Sequence, residues 1–385
     1  MKDVNQDGKI RILHVAQAAG GVDRYIRMLF KYMDHDRFEN ILVCSHDFKK
    51  EDYNGFADAF EYVDMQRSIG KADVSAMRAV RKLIKNYDPD IVYAHSSKAG
   101  AIARVANIGM KKKGEKIRCI YNPHGWAFNM RCGKKKQMMY TAIEKMAAPF
   151  CDKIICISKA EKESALARKI CKEDKLQVIV NGVDIEDYEQ RRIVGLSTVT
   201  RESCNIPENS FVVGMVGRIS EQKAPDVFIK AAKQIKEKIP EAYFVIVGDG
   251  SDREKIESYA KEHGINILIT GWVENALDYV DLFDVALLLS RWEGFGMAIP
   301  EYMLAGKPVV ASRVDAIPEI IVEGKNGLLV DADDVNGVYR AIVRLYEDSV
   351  VRRKLISKGR ITVHEKYDAK RVAIEVEKLY ENIYK

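Results

Sequence analysis

The chain has 385 residues, 47% of them hydrophobic and 31% charged, the balance of a globular protein with room for about two domains of ~150 residues each. No run of about 18 apolar residues occurs, which excludes a membrane-spanning helix. Seven scattered cysteines, with no C-x-x-C and no Cys/His spacing suited to zinc, exclude a structural zinc site; they suggest buried thiols in a reducing, cytoplasmic setting.

The opening MKDVNQDGKI lacks the apolar core of a signal peptide, and residues 1–9 are expected to be a disordered lead-in. Short β-rich runs then alternate with amphipathic segments. The strands are 11-RILHVAQ, 40-NILVCS, 60-FEYVDM, 90-DIVYAHS, 117-IRCIYN, 153-KIICIS and 176-LQVIVNG. The helices between them begin near residues 22, 74, 98, 136 and 159. Such alternation implies βαβ units and a mostly parallel sheet covered by helices. From 184 to 209 the pattern lapses into a polar stretch that reads as a linker with a helical turn at most. It restarts at 211-FVVGMVG and runs through 242-AYFVIVG, 265-INILITG, 284-DVALLLS, 308-PVVAS and 327-GLLV to a helical tail. The expected architecture is α/β: two doubly wound, Rossmann-like domains over 1–190 and 191–368, facing a central cleft, then a helix over 369–385.

Charge is uneven. Residues 1–190 carry 34 Lys/Arg against 26 Asp/Glu, and the remainder carries 28 against 30. Most of the excess lies between Lys98 and Lys145. It is either a solvated face or a surface for a polyanionic ligand or for anionic lipid, where each Lys/Arg can add ~1 kcal/mol. Nucleic acid is disfavoured, because no helix-turn-helix, RRM or zinc-finger framing accompanies it.

In doubly wound sheets ligands bind beyond the carboxyl ends of the strands. Gly20-Gly21 follows the first strand and opens a helix, either a plain tight turn or a place where backbone N–H groups approach an anion. The dinucleotide fingerprint G-x-G-x-x-G is absent there and at 248-GDGSDR, which argues against NAD or FAD. Arg218 and Lys223 lie on the loop after 211-FVVGMVG, as two solvated bases or as a guanidinium fork and an ammonium suited to a diphosphate. After 284-DVALLLS come Arg291, Trp292 and Glu293, then Gly294-Phe295-Gly296 and a helix starting near Met297 or Ala298, since Pro300 fits only a first turn. The first N–H groups of that helix suit an anion. Glu301, one turn in, complements the helix's positive end or accepts from two vicinal hydroxyls. Glu293 is a loop acid or faces an uncharged, hydroxyl-bearing part of a ligand. His124 ends the strand before Gly125, Trp126 and Phe128, as a structural histidine or as part of a polar pocket. His14 reads as structural.

Together 18-AAGGVDRY, 124-HGWAF, 181-NGVD, 216-VGRISEQK, 247-VGDG, 271-GW and 293-EGFGMAIPE resemble the retaining glycosyltransferases of family 4, with the GT-B fold, over nearly the whole chain. The segments 95-HSSKAG and 123-PHGWAF are similar to the capsular and exopolysaccharide branch. One departure is Lys223-Ala224-Pro225, where family members often read Lys-Gly.

The resemblance implies that Arg218 and Lys223 hold the diphosphate of a nucleotide-sugar, aided by backbone near Gly294, Phe295, Gly296, Met297 and Ala298. It implies that Glu301 binds ribose, Glu293 grips hydroxyls of the transferred sugar, His124 contacts sugar or acceptor, Gly20 and Gly21 close over phosphate, and Trp272 or Val273 frames the base. It implies no metal and no cofactor. The donor is expected to be a UDP-sugar, with GDP-mannose the alternative, and the acceptor a glycan or undecaprenyl-linked saccharide at the inner face of the membrane. A UDP-sugar epimerase of the same fold and a non-catalytic sensor are the rival readings. The final helix is expected to cross back to the first domain.

Overall fold

A computed structural model describes residues 8–66, 70 and 72–384. The expected lead-in over 1–9 lies almost wholly outside the described residues; Lys9, at its end, donates to the His35 carbonyl at 2.7 Å. The chain divides into two units, Met1–Asn181 with Ala369–Lys385, and Gly182–Asp368.

The first unit contains β1 (Ile10–Ala16), β2 (Phe38–Cys44), β3 (Ala59–Tyr62), β4 (Ile91–His95), β5 (Lys111–Lys112), β6 (Glu115–Lys116), β7 (Arg118–Asn122), β8 (Lys153–Cys156) and β9 (Leu176–Val178). Its helices are α1 (Gly21–Tyr32), α2 (Ala72–Tyr87), α3 (Ser97–Ala106), α4 (Lys134–Ala147) and α5 (Lys159–Ala167). The seven-stranded sheet is parallel, in the order β3-β2-β1-β4-β7-β8-β9. The order reverses between β1 and β4, so the crevice for a ligand opens beyond Ala16 and His95.

Much of the basic segment of this unit is neutralised internally. β5 and β6 form a small hairpin, within which Lys112 is 8% exposed and pairs with Asp90 at 2.7 Å. Lys98 pairs with Asp73, Lys116 with Asp152, and fully buried Arg104 with Glu144. Lys134, Lys135, Lys136 and Lys145 stay exposed on α4, beside exposed Met138 and Met146.

The second unit opens with α6 (Ile185–Val194) and contains β10 (Phe211–Val216), β11 (Ala242–Val247), β12 (Ile267–Ile269), β13 (Val285–Leu288), β14 (Val309–Ser312) and β15 (Leu328–Val330). Its other helices are α7 (Pro225–Lys238), α8 (Arg253–Glu262), α9 (Ala276–Val280), α10 (Ala298–Leu304), α11 (Ile317–Ile320), α12 (Val335–Glu347) and α13 (Ser349–Lys366). The parallel order β12-β11-β10-β13-β14-β15 reverses between β10 and β13. All four residues of β13 are buried. Each of its Val and Leu side chains contributes about 1.5–3 kcal/mol on burial, more than the ~1 kcal/mol span of strand propensity, so burial selects these strands.

The polar stretch after residue 184 is not a bare linker. Asp184 caps α6 by accepting from the Asp187 N–H at 2.9 Å, and Gly195 ends it in the left-handed region. Arg191 and Arg192 tie α6 to Asp278 and Asp281, and Arg201 reaches Asp284. A boundary at 190/191 would cut this helix in two; α6 belongs with the second unit, which starts at Gly182. The last helix, α14 (Ala369–Tyr384), packs on α1, burying Val372, Val376 and Tyr380 in the core of the first unit.

Candidate active site

In the second unit the loops after β10 and β13 face each other at the point of reversal. Tyr302, on α10, is fully buried beneath them. Its hydroxyl accepts from the Val216 N–H at 2.7 Å and lies 3.4 Å from the Leu287 carbonyl, filling the gap where the two strands part. Burial raises its phenol well above the usual range, and the charges of Glu301 and Glu293 add to that; both carboxylates therefore lie within electrostatic reach of one ring.

Lys223 Nζ meets Glu293 Oε2 at 2.6 Å, and the Ser290 hydroxyl donates to the same oxygen at 2.9 Å. Glu293 Oε1 takes no hydrogen bond among the described residues. The Glu293 N–H donates to Asp315 at 2.7 Å, which holds its backbone. Ala224 takes the left-handed conformation (φ 51°) that a glycine would take more cheaply, and Pro225 starts α7 directly after it. The Lys-Ala-Pro departure therefore keeps the turn.

Arg291, which carried no assignment from the sequence, is the hub of these loops. Its Nε donates to Asp333 at 2.7 Å, Nη2 forks onto both oxygens of Asp226 at 2.8–2.9 Å, and Nη1 donates to the Glu221 carbonyl. Its backbone N–H reaches the Gln222 carbonyl, and the Gln222 amide returns to the Trp292 carbonyl. The Lys223 loop and the Glu293 loop are thus stitched together.

Arg218 is exposed and makes no ion pair among the described residues. The glycines at 248-GDG serve a neighbouring loop: a Cβ at Gly248 would lie 2.2 Å from the Gly217 carbonyl oxygen, and one at Gly250 2.2 Å from that of Ile219. They let two strand-end loops touch, backbone to backbone, beside Arg218. Gly271 bridges to Gly248, which brings the Trp272-Val273 loop alongside; Trp272 is 75% exposed. Gly296 has φ +92°. Glu301 is buried in α10. Phe295 is 3% exposed and its ring packs on Tyr367, which leaves its backbone as the part able to face a ligand. Gly294, Met297 and Ala298 remain partly exposed around it.

In the first unit, Gly20 (φ +101°) caps α1, and a Cβ on Gly20 or Gly21 would meet nothing within 4 Å, an open approach to backbone. His124 stands in the left-handed region (φ 51°), its N–H held by Asn122 at 2.9 Å and its ring set on Tyr25 of α1. It is joined to His95, and His95 to His14, at 3.1 Å each. Burial lowers His14 and His124 to about 3, with the Asn40 contact a smaller opposing effect on His14. Burial, then the neighbouring histidines, lowers His95 well below the ordinary range. Sequence reasoning missed His95 and treated His14 separately; the available signal was a histidine near the end of each of three adjacent strands.

Among the described residues no cluster of His, Cys, Asp and Glu has the arrangement of a metal site, and no helix is long and apolar enough to cross a membrane. The family model for glycosyl transferases group 1 matches residues 197–362, and that for glycosyltransferase family 4 matches residues 19–187. An Escherichia coli UDP-Gal:alpha-D-GlcNAc-diphosphoundecaprenol alpha-1,3-galactosyltransferase is 30% identical over 353 residues, 89% of each chain. Among solved structures, Anabaena HepE in complex with UDP and glucose superposes with a TM-score of 0.81 at 21% identity, covering 97% of this chain and 99% of its own. The sucrose-phosphate synthase of Thermosynechococcus elongatus gives 0.80 at 19%, covering 98% and 99%. Two doubly wound units, the two matched models and a full-length relative lead to one assignment: the chain is a family 4 glycosyltransferase of the GT-B fold.

Proposed function

We propose that the enzyme transfers a hexose, with retention, from a UDP-sugar to a lipid-linked or glycan acceptor in polysaccharide biosynthesis. The carrying observation is the cluster at the β10/β13 reversal: Arg218 exposed, Lys223 later on the same loop, and Glu293 bonded to Lys223 through one oxygen only. Arg218 and Lys223 bind the diphosphate and stabilise the charge that develops on it as the glycosidic bond breaks. Such stabilisation is usually the largest single contribution to rate. Glu293 Oε1 accepts from a hydroxyl of the transferred sugar, while Oε2 fixes Lys223. Glu301 serves the ribose and the Trp272-Val273 loop the base. In the first unit Gly20 and Gly21 serve phosphate, and His124 a hydroxyl of sugar or acceptor. With Lys223 and Ser290 both bonded to it, Glu293 is a poor nucleophile, which supports same-face departure and attack over a double displacement. The reaction as proposed uses no metal.

The galactosyltransferase relative, named for UDP-Gal and a diphosphoundecaprenol acceptor, supports this donor and acceptor class. A thermal-shift panel of UDP-, GDP- and ADP-sugars tests it. A ligand at 100 times its Kd stabilises by about 2.7 kcal/mol, and UDP-sugars should give the largest shift. A larger shift with GDP-mannose would replace the donor, and conversion of free UDP-sugar without acceptor would restore an epimerase.

The acceptor class gives α4 a role at the inner face of the membrane, where exposed Lys134, Lys135, Lys136 and Lys145 would meet anionic headgroups and Met138 and Met146 the acyl boundary. Replacing Lys134, Lys135 and Lys136 with Glu should reduce binding to anionic liposomes and leave donor affinity intact. Unchanged liposome binding would sink this part of the reading.

A further inference from the structure

Three imidazoles and one amide run in file through the first unit. His124 Nε2 lies 3.1 Å from His95 Nδ1, His95 Nε2 lies 3.1 Å from His14 Nδ1, and His14 Nε2 lies 3.3 Å from Asn40 Oδ1. The ring planes of successive histidines differ by only 23° and 11°, with centroids 5.3 and 5.4 Å apart. At those separations the rings are edge to edge, and the N···N contacts are in-plane hydrogen bonds, not face-to-face stacking. Aromatic rings enclose the file: Phe30 against His14, Tyr93 against His95 and Tyr25 against His124.

A neutral imidazole has one donor and one acceptor, so fixing one nitrogen fixes the other. Asn40 turns Oδ1, which can only accept, toward His14 and leaves its buried Nδ2 without a partner; in this orientation His14 carries its proton on Nε2 and accepts at Nδ1, whereas the reversed amide would run every proton of the file the other way. His95 must then donate from Nε2 and accept at Nδ1, and His124 must donate from Nε2. His124 Nδ1 is the open end: it makes no hydrogen bond among the described residues. The low basicity of all three rings keeps each neutral near pH 7, the condition under which this counting holds.

We propose that Asn40, His14 and His95 are positioning residues that lock His124 in its Nε2–H tautomer, so that its Nδ1 lone pair accepts from a substrate hydroxyl and does not donate to a phosphate oxygen. The lock is internal to the first unit; its catalytic meaning rests on the reading that His124 faces the transferred sugar or the acceptor. The group it recognises is then a hydrogen-bond donor, which assigns His124 to the carbohydrate part of the ligand. It also explains a buried row of polar rings that would otherwise be a costly way to fill a core.

The test is a long-range 15N–1H spectrum of the full-length enzyme with 15N-labelled histidine, each signal assigned by substitution. Expected are three neutral rings, His14, His95 and His124, all protonated on Nε2. A His124 ring protonated on Nδ1, or on both nitrogens near pH 7, would overturn the proposal. Asn40→Leu removes the anchoring acceptor; it should mix the tautomers of His124 and lower kcat about two- to tenfold, the range of a single neutral hydrogen bond. Asn40→Asp, which only accepts, should restore both the spectrum and the rate, an outcome that mere packing at Asn40 would not produce. Pure Nε2–H signals in Asn40→Leu would overturn the lock. His124→Gln separates the two layers: normal turnover there would remove His124 from the ligand, even with the tautomer assignment intact.

Discussion

The histidine file makes the first unit sensitive to acid in a defined window. His14, His95 and His124 are held neutral by burial, so their folded pKa values lie below the ordinary 6.5. Above about pH 6.5 both folded and unfolded chains keep these rings neutral, and they contribute no pH dependence. Below it the unfolded chain takes up protons that the folded chain refuses, so stability falls as pH falls, until the folded pKa values near 3 are reached. At pH 5, about 1.5 units below the unfolded value, each fully buried histidine costs roughly 2 kcal/mol. That sum depends only on the folded pKa lying well below 5, not on its value. His14 and His95 are fully buried and count in full; His124 is partly exposed and counts for less. The total, about 4–6 kcal/mol, is comparable to the 5–15 kcal/mol that holds a typical domain together. At roughly 2–4 °C per kcal/mol for a domain of this size, melting of the first unit should drop by about 10–20 °C between pH 7.5 and 5. Differential scanning calorimetry of the full chain across that range would measure it. His14→Gln should remove about a third to a half of the slope even if it lowers the plateau. A first-unit transition that shifts by less than about 3 °C, or a slope unaltered in His14→Gln, would refute the burial argument.

The second unit supplies three further expectations. Glu293→Gln should cut kcat by about ten- to a hundredfold while nucleotide Kd, measured by calorimetry, changes little; a near-normal kcat would remove Glu293 from the sugar. Arg291→Lys keeps the charge but loses the fork on Asp226, so kcat/KM for donor should fall about tenfold with a stability loss of about 1–3 kcal/mol. Wild-type donor kinetics in that variant would show that the two loops hold their places without it. Gly250→Ala drives a methyl to 2.2 Å from the Ile219 carbonyl and should destabilise the second unit by more than about 2 kcal/mol in urea melts; an unchanged midpoint would deny the close approach.

Most strands and helices and the succession of two parallel-sheet units were legible because buried parallel strands are continuous apolar runs, and glycines and prolines punctuate them. The loops that carry Arg218, Lys223 and Glu293 followed directly, since they come just after strands; that the two strands flank a reversal is seen only in the structure. Helix α6 was missed because its stability comes from Asp184 and Gly195 at its ends and from ion pairs to Asp278 and Asp281, not from an apolar stripe. Arg291 was silent because its carboxylates lie 65 and 42 positions away. The basic run from Lys98 to Lys145 read as one surface, yet Arg104 is held by Glu144 within the run, and Lys98, Lys112 and Lys116 by Asp73, Asp90 and Asp152 outside it. His95 gave no local sign, since its partners come from neighbouring strands.

Hydrogen-bond capacity separates the cations around the β10/β13 reversal into distinct duties. Arg291 uses Nε and both terminal nitrogens on Asp333, Asp226 and the Glu221 carbonyl, so binding a phosphate would require breaking bonds that hold the loops. Lys223 spends one of three ammonium donors on Glu293, and two remain. Arg218 spends none of its five on a carboxylate among the described residues. A diphosphate arriving there would therefore meet Arg218 unencumbered and share Lys223 with Glu293, while Arg291 keeps the geometry. Sharing has a consequence for Glu293. As Lys223 turns part of its charge toward phosphate, the carboxylate is less neutralised and a stronger acceptor for the sugar hydroxyl on Oε1. Diphosphate binding and sugar binding are thereby coupled through one ion pair, and Glu293→Gln should weaken the dependence of sugar recognition on the diphosphate, not merely sugar recognition itself.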